Sequence, residues 1–332
     1  LPTMLRTCIL IILAMTVSKS FAEPVITPPP QPASGPGGSD YAYTGVKTET
    51  RGMGIHKYII YEPNPRAAKA LPVIAFMHGY NPFPNPRNNV DFVNHLVKKG
   101  HIVIWPYYMT LITLPGNFDK NAGNAIRSAL DYIIANPADH ARPEYDSRGK
   151  MNFALMGHSA GGITAANLAA TYGTYGLPAP KAMICIAPGR GSGLSVPIRN
   201  YRRIPGNIYM LIIVDSEDHI GSDHGKYIWE NSPQIPNSHK NWILVNSDYH
   251  GSPDRNDLVA DHYDTLGSPH FPTNAHDWYG YWKWATALCN YAFYGTDGKY
   301  ALGNTGAQRY MGVWSDGRAV IEPEVYDHVV WP

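Results

Sequence analysis

Cysteine is scarce in these 332 residues, three in all, too few for a disulfide framework to hold a chain of this size. Cys8 falls in an N-terminal apolar run. Cys185 lies inside Ala-Met-Ile-Cys-Ile-Ala, which reads as a central strand, and Cys289 on an expected C-terminal helix. Both are expected to be free thiols that pack as small apolar side chains. Charge is also scarce, at 16% Asp, Glu, Lys and Arg with a formal net charge of +1. There is no basic stripe, which argues against nucleic acid as a partner. No apolar run reaches the roughly 20 residues of a membrane span, and no internal repeat is present. The stretch Pro188 to Asn207 between two strand candidates is too short for a lid of packed helices, so an open cleft is expected.

What is present is a 44% hydrophobic chain, able to bury a large core and long enough for one large α/β domain. Residues 1–22 read as a secretory signal. Arg6 carries the charge, Thr7 to Val17 is the apolar region, Ser20-Phe21-Ala22 fits a small-x-small cleavage site, and translation is expected to begin at Met4. A secreted or periplasmic protein is expected, a monomer with no stable membrane insertion after cleavage. Residues 23–40, with Pro28-Pro29-Pro30 and Pro36-Gly37-Gly38, read as a flexible linker. The catalytic domain is expected over 41–332, with a wrapping C-terminal extension from about 295.

Strand candidates are Ile55–Tyr61, Val73–Met77, His101–Trp105, Met151–Met156, Ala182–Ala187, Ile208–Val214 and Trp242–Val245. Helix candidates are Asn89–Lys99, Asn121–Ala135, Ala160–Tyr172, Tyr227–Asn231 and Trp278–Tyr294. The alternation predicts a mostly parallel sheet flanked by helices, with ligands beyond the carboxyl ends of the strands.

The most specific motif is Gly157-His158-Ser159-Ala160-Gly161, placed between a strand and a helix. A serine on so tight a turn projects its hydroxyl above the sheet, and the glycines let helix and strand pass closely. A serine hydroxyl needs a histidine to take its proton and a carboxylate to orient that histidine, in the chain order Ser, acid, His. Past the Met210–Val214 strand, Asp218 is the first candidate for the acid, Asp215 the second and Glu217 the third. His250, on the loop after the Trp242–Val245 strand, is the first candidate for the base. His262, His270 and His276 read as ordinary hydrogen-bonding histidines. Oxyanion donors are expected from the backbone N–H groups of Ala160 and Tyr80, the latter after His78-Gly79. Aromatic residues Tyr80, Phe83, Trp105 and Tyr107 are expected to line the cleft; the alternative has Trp105 and Tyr107 packed internally. Asp215, Glu217, Asp218, His219, Asp223 and His224 could be read as a metal cluster, but a catalytic loop explains them more simply, so no metal or cofactor is expected. The run Trp278 to Trp284 reads as a helix packing aromatics on the sheet rather than a sugar- or polymer-binding surface.

Together these positions resemble the α/β-hydrolase superfamily. Within it, Met77-His78-Gly79-Tyr80-Asn81-Pro82 and the lid-poor layout are similar to the chlorophyllase, platelet-activating-factor acetylhydrolase and cutinase-like polyester hydrolase group. The chain has Ala160 where the bacterial cutinase-like enzymes usually carry methionine, lacks their C-terminal cysteine pair and has a longer tail. The resemblance implies the α/β-hydrolase fold with little or no lid, and serine-dependent ester hydrolysis without a cofactor. The expected substrates are small or polymeric esters, with short- to medium-chain or aromatic acyl groups favoured. The rival readings are a serine peptidase or amidase of the same fold and a catalytically silent binding protein.

Overall fold

The computed structural model describes residues 25–189, 196–198, 200–221, 223–267 and 271–328. The expected signal, Cys8 and His270 lie outside them. Nine strands among the described residues form one sheet: β1 (Gly45–Arg51), β2 (Tyr58–Asn64), β3 (Val73–Met77), β4 (Ile102–Pro106), β5 (Phe153–His158), β6 (Ala182–Ile186), β7 (Tyr209–Asp215), β8 (Lys240–Val245) and β9 (Glu324–Tyr326). Their order is β1-β2-β4-β3-β5-β6-β7-β8-β9. The strands from β4 through β8 run parallel, while β1 and β2 on one side and β9 on the other are antiparallel to their neighbours.

The central strands are buried on both faces, as a parallel sheet covered by helices requires. Along β3 the side chains alternate: Val73, Ala75 and Met77 enter one apolar layer, Ile74 and Phe76 the other. The first layer is closed by α2 (Phe118–Ala135) and α3 (Ala160–Thr171), the second by α1 (Val90–Lys98) and α5 (Trp282–Tyr294). In α3 the residues from Ala160 to Ala170 are all buried, and its run of Ala and Gly lets it lie close to the strands. Cys185 is a free thiol in the first layer and Cys289 a free thiol in the second; burial pushes both up to about 12.

The fold is the α/β architecture expected, with differences at the edges. The polar, half-exposed strand β1 and the three-residue β9 carry no apolar signature and were not expected. The weak helix at Tyr227–Asn231 is the end of α4 (Asp223–Glu230). A π-helical turn, Asp277–Tyr281, precedes α5. The described part of the 23–40 segment is not a free linker: Pro36, Gly37 and Gly38 are buried. There the carbonyl of Pro36 lies 2.9 Å from His95 Nε2, and Lys99 Nζ donates to the carbonyl of Gly35 at 2.8 Å. Past residue 295, Met311, Trp314, Val320 and Val325 pack into the α1/α5 layer, so this region completes the core. No helix among the described residues is long and apolar enough to cross a membrane.

Candidate active site

Ser159 stands between β5 and α3 with φ 57° and ψ −125°, a left-handed conformation that costs an ordinary residue about 1–3 kcal/mol. The neighbouring glycines hold it there. A Cβ on Gly157 would overlap the Gly161 carbonyl, and one on Gly161 would overlap the carbonyls of Met77 and His78. The Ser159 N–H donates to the Ile186 carbonyl at 2.9 Å, tying the turn to β6. Beyond β6, a Cβ on Gly189 would come within 3.0 Å of Ser159 Oγ, so this glycine keeps space open beside the hydroxyl.

Two hydrogen bonds run from that hydroxyl. Ser159 Oγ is 2.8 Å from His262 Nε2, and His262 Nδ1 is 2.9 Å from Asp218 Oδ2. With Nδ1–H donating to the carboxylate, the lone pair of Nε2 faces the serine proton. Both side chains of the His–Asp pair are buried. Burial pushes the Asp218 carboxyl up, but it is outweighed by the bond and charge of His262 and by the N–H groups of Gly221 and Ile220, which hold the group below its usual value. His262 is anchored through its backbone as well: His158 Nε2 lies 2.7 Å from its carbonyl oxygen. Burial pushes His158 down to about 3, so it is a neutral donor there.

His250 does not meet Ser159. Its Nε2 lies 2.7 Å from Asp316 Oδ2 and its Nδ1 3.0 Å from Arg318 Nη1, so both ring nitrogens are engaged by the C-terminal region. The loop after β8 is pinched where Asp248 and Leu258 exchange backbone bonds of 2.7 and 3.0 Å. Residues between them, His250 included, form an excursion toward the tail. The chain then returns through buried Leu258 and Ala260 to deliver His262. The sequence points to His250 for the base and to an ordinary hydrogen-bonding role for His262. The short apolar return Leu258-Val259-Ala260 after the turn-rich Gly251 to Asp257 is the one faint sign of the pinch, and it does not by itself single out His262.

Asp215, the last residue of β7, accepts from the Tyr281 hydroxyl. Burial raises its carboxyl well above the usual range, and neighbouring carboxylates of Asp264, Asp218 and Asp261 add to that. Glu217 accepts from Tyr249 at 2.5 Å. Asp215, Glu217 and Asp218 thus face separate partners rather than one centre. The Asp223 side chain lies outside what the structure describes, and no group of three or more side chains able to hold a metal ion occurs among the described residues.

A cavity of about 280 Å³ opens beside Ser159, and His262, Tyr80, Tyr263, Ile220 and Asn89 are among the residues that line it. Ala160, the first residue of α3, has no intrahelical acceptor for its N–H, and Tyr80 sits on the loop past β3 at the cavity wall. Of the expected aromatic walls, only Tyr80 lines this space. Trp105 is buried and stacks on His78 at 4.5 Å, with Tyr107 edge-on to it at 4.9 Å; both rings pack internally. Phe83 is 69% exposed and outside the lining.

The Chlorophyllase family model matches residues 41–199, from the approach to β1 past Ser159 and β6. Asp218 and His262 lie beyond the matched span. No curated protein matches the chain. The chain has the α/β-hydrolase fold and is similar over those residues to the chlorophyllases, which supports a hydrolase acting on esters.

Proposed function

We propose that the protein is an exported serine carboxylic-ester hydrolase. The observation that carries this reading is the chain of two hydrogen bonds from Ser159 through His262 to Asp218, opening on a cavity. Ser159 Oγ attacks the ester carbonyl carbon as His262 Nε2 takes its proton. Asp218 holds the imidazole in that tautomer and stabilises the imidazolium. The N–H groups of Tyr80 and Ala160 carry the charge that develops on the carbonyl oxygen, with the start of α3 adding its dipole. The tetrahedral adduct collapses to an acyl-serine, and the alcohol leaves with the proton returned by His262. Water then enters, loses a proton to the same nitrogen, and releases the acid.

The described segment between β6 and β7 holds a single short helical turn, Tyr201–Arg203, which offers no cover of packed helices. Short- to medium-chain esters are therefore the expected substrates, without activation at an oil–water interface. Export rests on the Arg6, Thr7–Val17 and Ser20-Phe21-Ala22 pattern, and sequencing the N-terminus of the mature protein tests it.

A fluorophosphonate probe should label Ser159, and p-nitrophenyl butyrate should be hydrolysed faster than the palmitate. Absence of both labelling and hydrolysis in the folded protein would overturn the reading. Preference for palmitate would overturn the chain-length part alone.

A further inference from the structure

Five large apolar side chains are more exposed than any other among the described residues: Met53, Phe83, Leu111, Ile112 and Leu114, from 68% to 92%. They are not scattered. The start of β2 pairs with the end of β4, Tyr58 beside Pro106, while β4, β3 and β5 run parallel. The segments before β2 and after β4, β3 and β5 therefore share one end of the sheet, the end where Ser159 stands. Met53 precedes β2, Phe83 follows β3, and the other three follow β4. Ile55, Ile112 and Leu114 line one shallow depression, which joins the first of these segments to the last.

The β4–α2 loop holds its apolar residues outward by its own hydrogen bonds. The Thr113 N–H donates to the Thr110 carbonyl at 3.0 Å, and the Thr110 N–H donates to the Thr113 hydroxyl at 2.9 Å. This closes a turn with Leu111 and Ile112 at its tip. The loop abuts the cavity wall: Asn81, in the lining, donates its N–H to Met109 Sδ at 3.2 Å, and the Tyr80 ring lies 6.4 Å from that of Phe118. None of the five exposed apolar side chains lines the cavity itself.

Charge around them has one sign. Residues 53–57, 79–90 and 107–118 contain Lys57 and Arg87 and no Asp or Glu, and Lys120 borders the depression beside Ile112. The carboxylates that flank these segments in sequence have partners of their own. Asp119 accepts from Asn167 at 2.9 Å, Asp91 from Thr273 at 2.9 Å, and Glu49 from Tyr132 at 2.9 Å and Arg51 at 3.1 Å. Glu217 follows β7, two strands beyond β5 on the opposite side of Ser159.

We propose that this face docks the protein on an anionic phospholipid surface, with Leu111 and Ile112 entering among the headgroups and Lys57, Arg87 and Lys120 facing the lipid phosphates. A protruding aliphatic tip suits a fluid layer that opens around it, and burial of its side chains drives the insertion. The basic rim favours negative headgroups over a neutral surface. Docking sets the mouth of the cavity against the lipid without moving a cover from Ser159, so it adds residence at the surface rather than activation. It goes beyond the ester-hydrolase reading and does not depend on it.

Flotation of the full protein with vesicles tests the proposal. Binding to vesicles of equal phosphatidylglycerol and phosphatidylcholine should exceed binding to phosphatidylcholine alone by about tenfold or more, and the excess should shrink in high salt. Leu111→Ser combined with Ile112→Ser should weaken binding to the mixed vesicles by about tenfold or more. Turnover of dissolved p-nitrophenyl butyrate should stay within about twofold, since neither residue lines the cavity. Wild type and variant carry the same N-terminus, so residues 1–22 contribute equally to both. Should the double variant not fold, Lys120→Glu replaces it and should lower binding to the mixed vesicles about fivefold. No binding to the mixed vesicles, equal binding to both compositions, or undiminished binding by the variant would overturn the proposal. Adsorption to a neutral polyester film without vesicle binding would overturn it in favour of a polymer surface. A dimer on size-exclusion chromatography that the variant abolishes, without vesicle binding, would overturn it in favour of a second copy of the chain. Each of these results leaves the ester-hydrolase reading standing, which fluorophosphonate labelling decides separately.

Discussion

Two imidazole–carboxylate pairs lie side by side in this protein. His262 Nδ1 is 2.9 Å from Asp218, and His276 Nδ1 is 2.6 Å from Asp264, a residue only two positions after His262. Both pairs are buried. They differ at the other ring nitrogen: His262 Nε2 meets the Ser159 hydroxyl, whereas His276 Nε2 is buried without a partner among the described residues. The second pair belongs to a polar knot in which Asp264 also accepts from Asn274 and Tyr281, and Tyr281 donates to Asp215. A carboxylate behind an imidazole is thus a structural device as readily as a catalytic one. What separates the two is the atom in front of the ring.

The sharpest way to break this comparison is to remove that atom. Ser159→Ala should lower kcat on the order of 10⁴-fold or more while circular dichroism shows an intact fold. Retention of a tenth of wild-type turnover would exclude Ser159 as the nucleophile. His262→Ala should cost a similar factor, on the order of 10⁴. His250→Ala, which only loosens the contact with Asp316 and Arg318, should stay within about twofold because surface changes of this kind rarely disturb a distant site. Steady-state kinetics of the two variants decides between the histidines.

The acids give a smaller contrast. Asp218→Asn should reduce kcat by roughly 10³- to 10⁴-fold, since an amide favours the wrong tautomer of His262. Asp215→Asn should be far milder, because that carboxyl already faces Tyr281 rather than a histidine; the reverse ranking would move the role to Asp215. For the structural pair, His276→Ala should lower stability by about 1–3 kcal/mol by leaving Asp264 short of a partner. The denaturation midpoint should fall while turnover of the folded fraction is kept.

The smallest effect concerns pH. Burial raises Asp277 well above 3.8, with the charge of Asp264 adding to the shift. A carboxyl whose folded value is raised holds its proton in the folded state after the unfolded chain has lost it. Stability therefore declines as pH climbs from 3.8 toward the folded value. Asp277→Asn should flatten that decline, seen as a smaller drop in Tm between acid and neutral buffer.

The local features were the legible ones. The elbow at Ser159 is written in adjacent residues, two glycines flanking a serine between an apolar run and a helix former, so its conformation follows from short-range sterics. Asp218 follows a strand end by three positions, and strand ends are visible in apolar runs. His262 depends instead on the pinch between Asp248 and Leu258, a pairing across ten residues marked locally by nothing stronger than a three-residue apolar run. Trp105 misled because a ring near a strand's carboxyl end can face either layer; here it enters the α1/α5 layer and stacks on His78. Strand β1, Gly-Val-Lys-Thr-Glu-Thr-Arg, sits at an exposed edge where only backbone pairing is required, so its side chains carry little signal.

Strand β9 is only three residues long, yet it occupies the backbone of Trp242, Ile243 and Leu244 along the outer side of β8. A chain ending near residue 295 would present those amides and carbonyls to solvent beside the space vacated by Trp314 and Val325. Such an edge is a template for another molecule's strand. The far C-terminal residues therefore close an edge as well as a core layer, and a version ending near 295 is expected to self-associate, which size-exclusion chromatography would show.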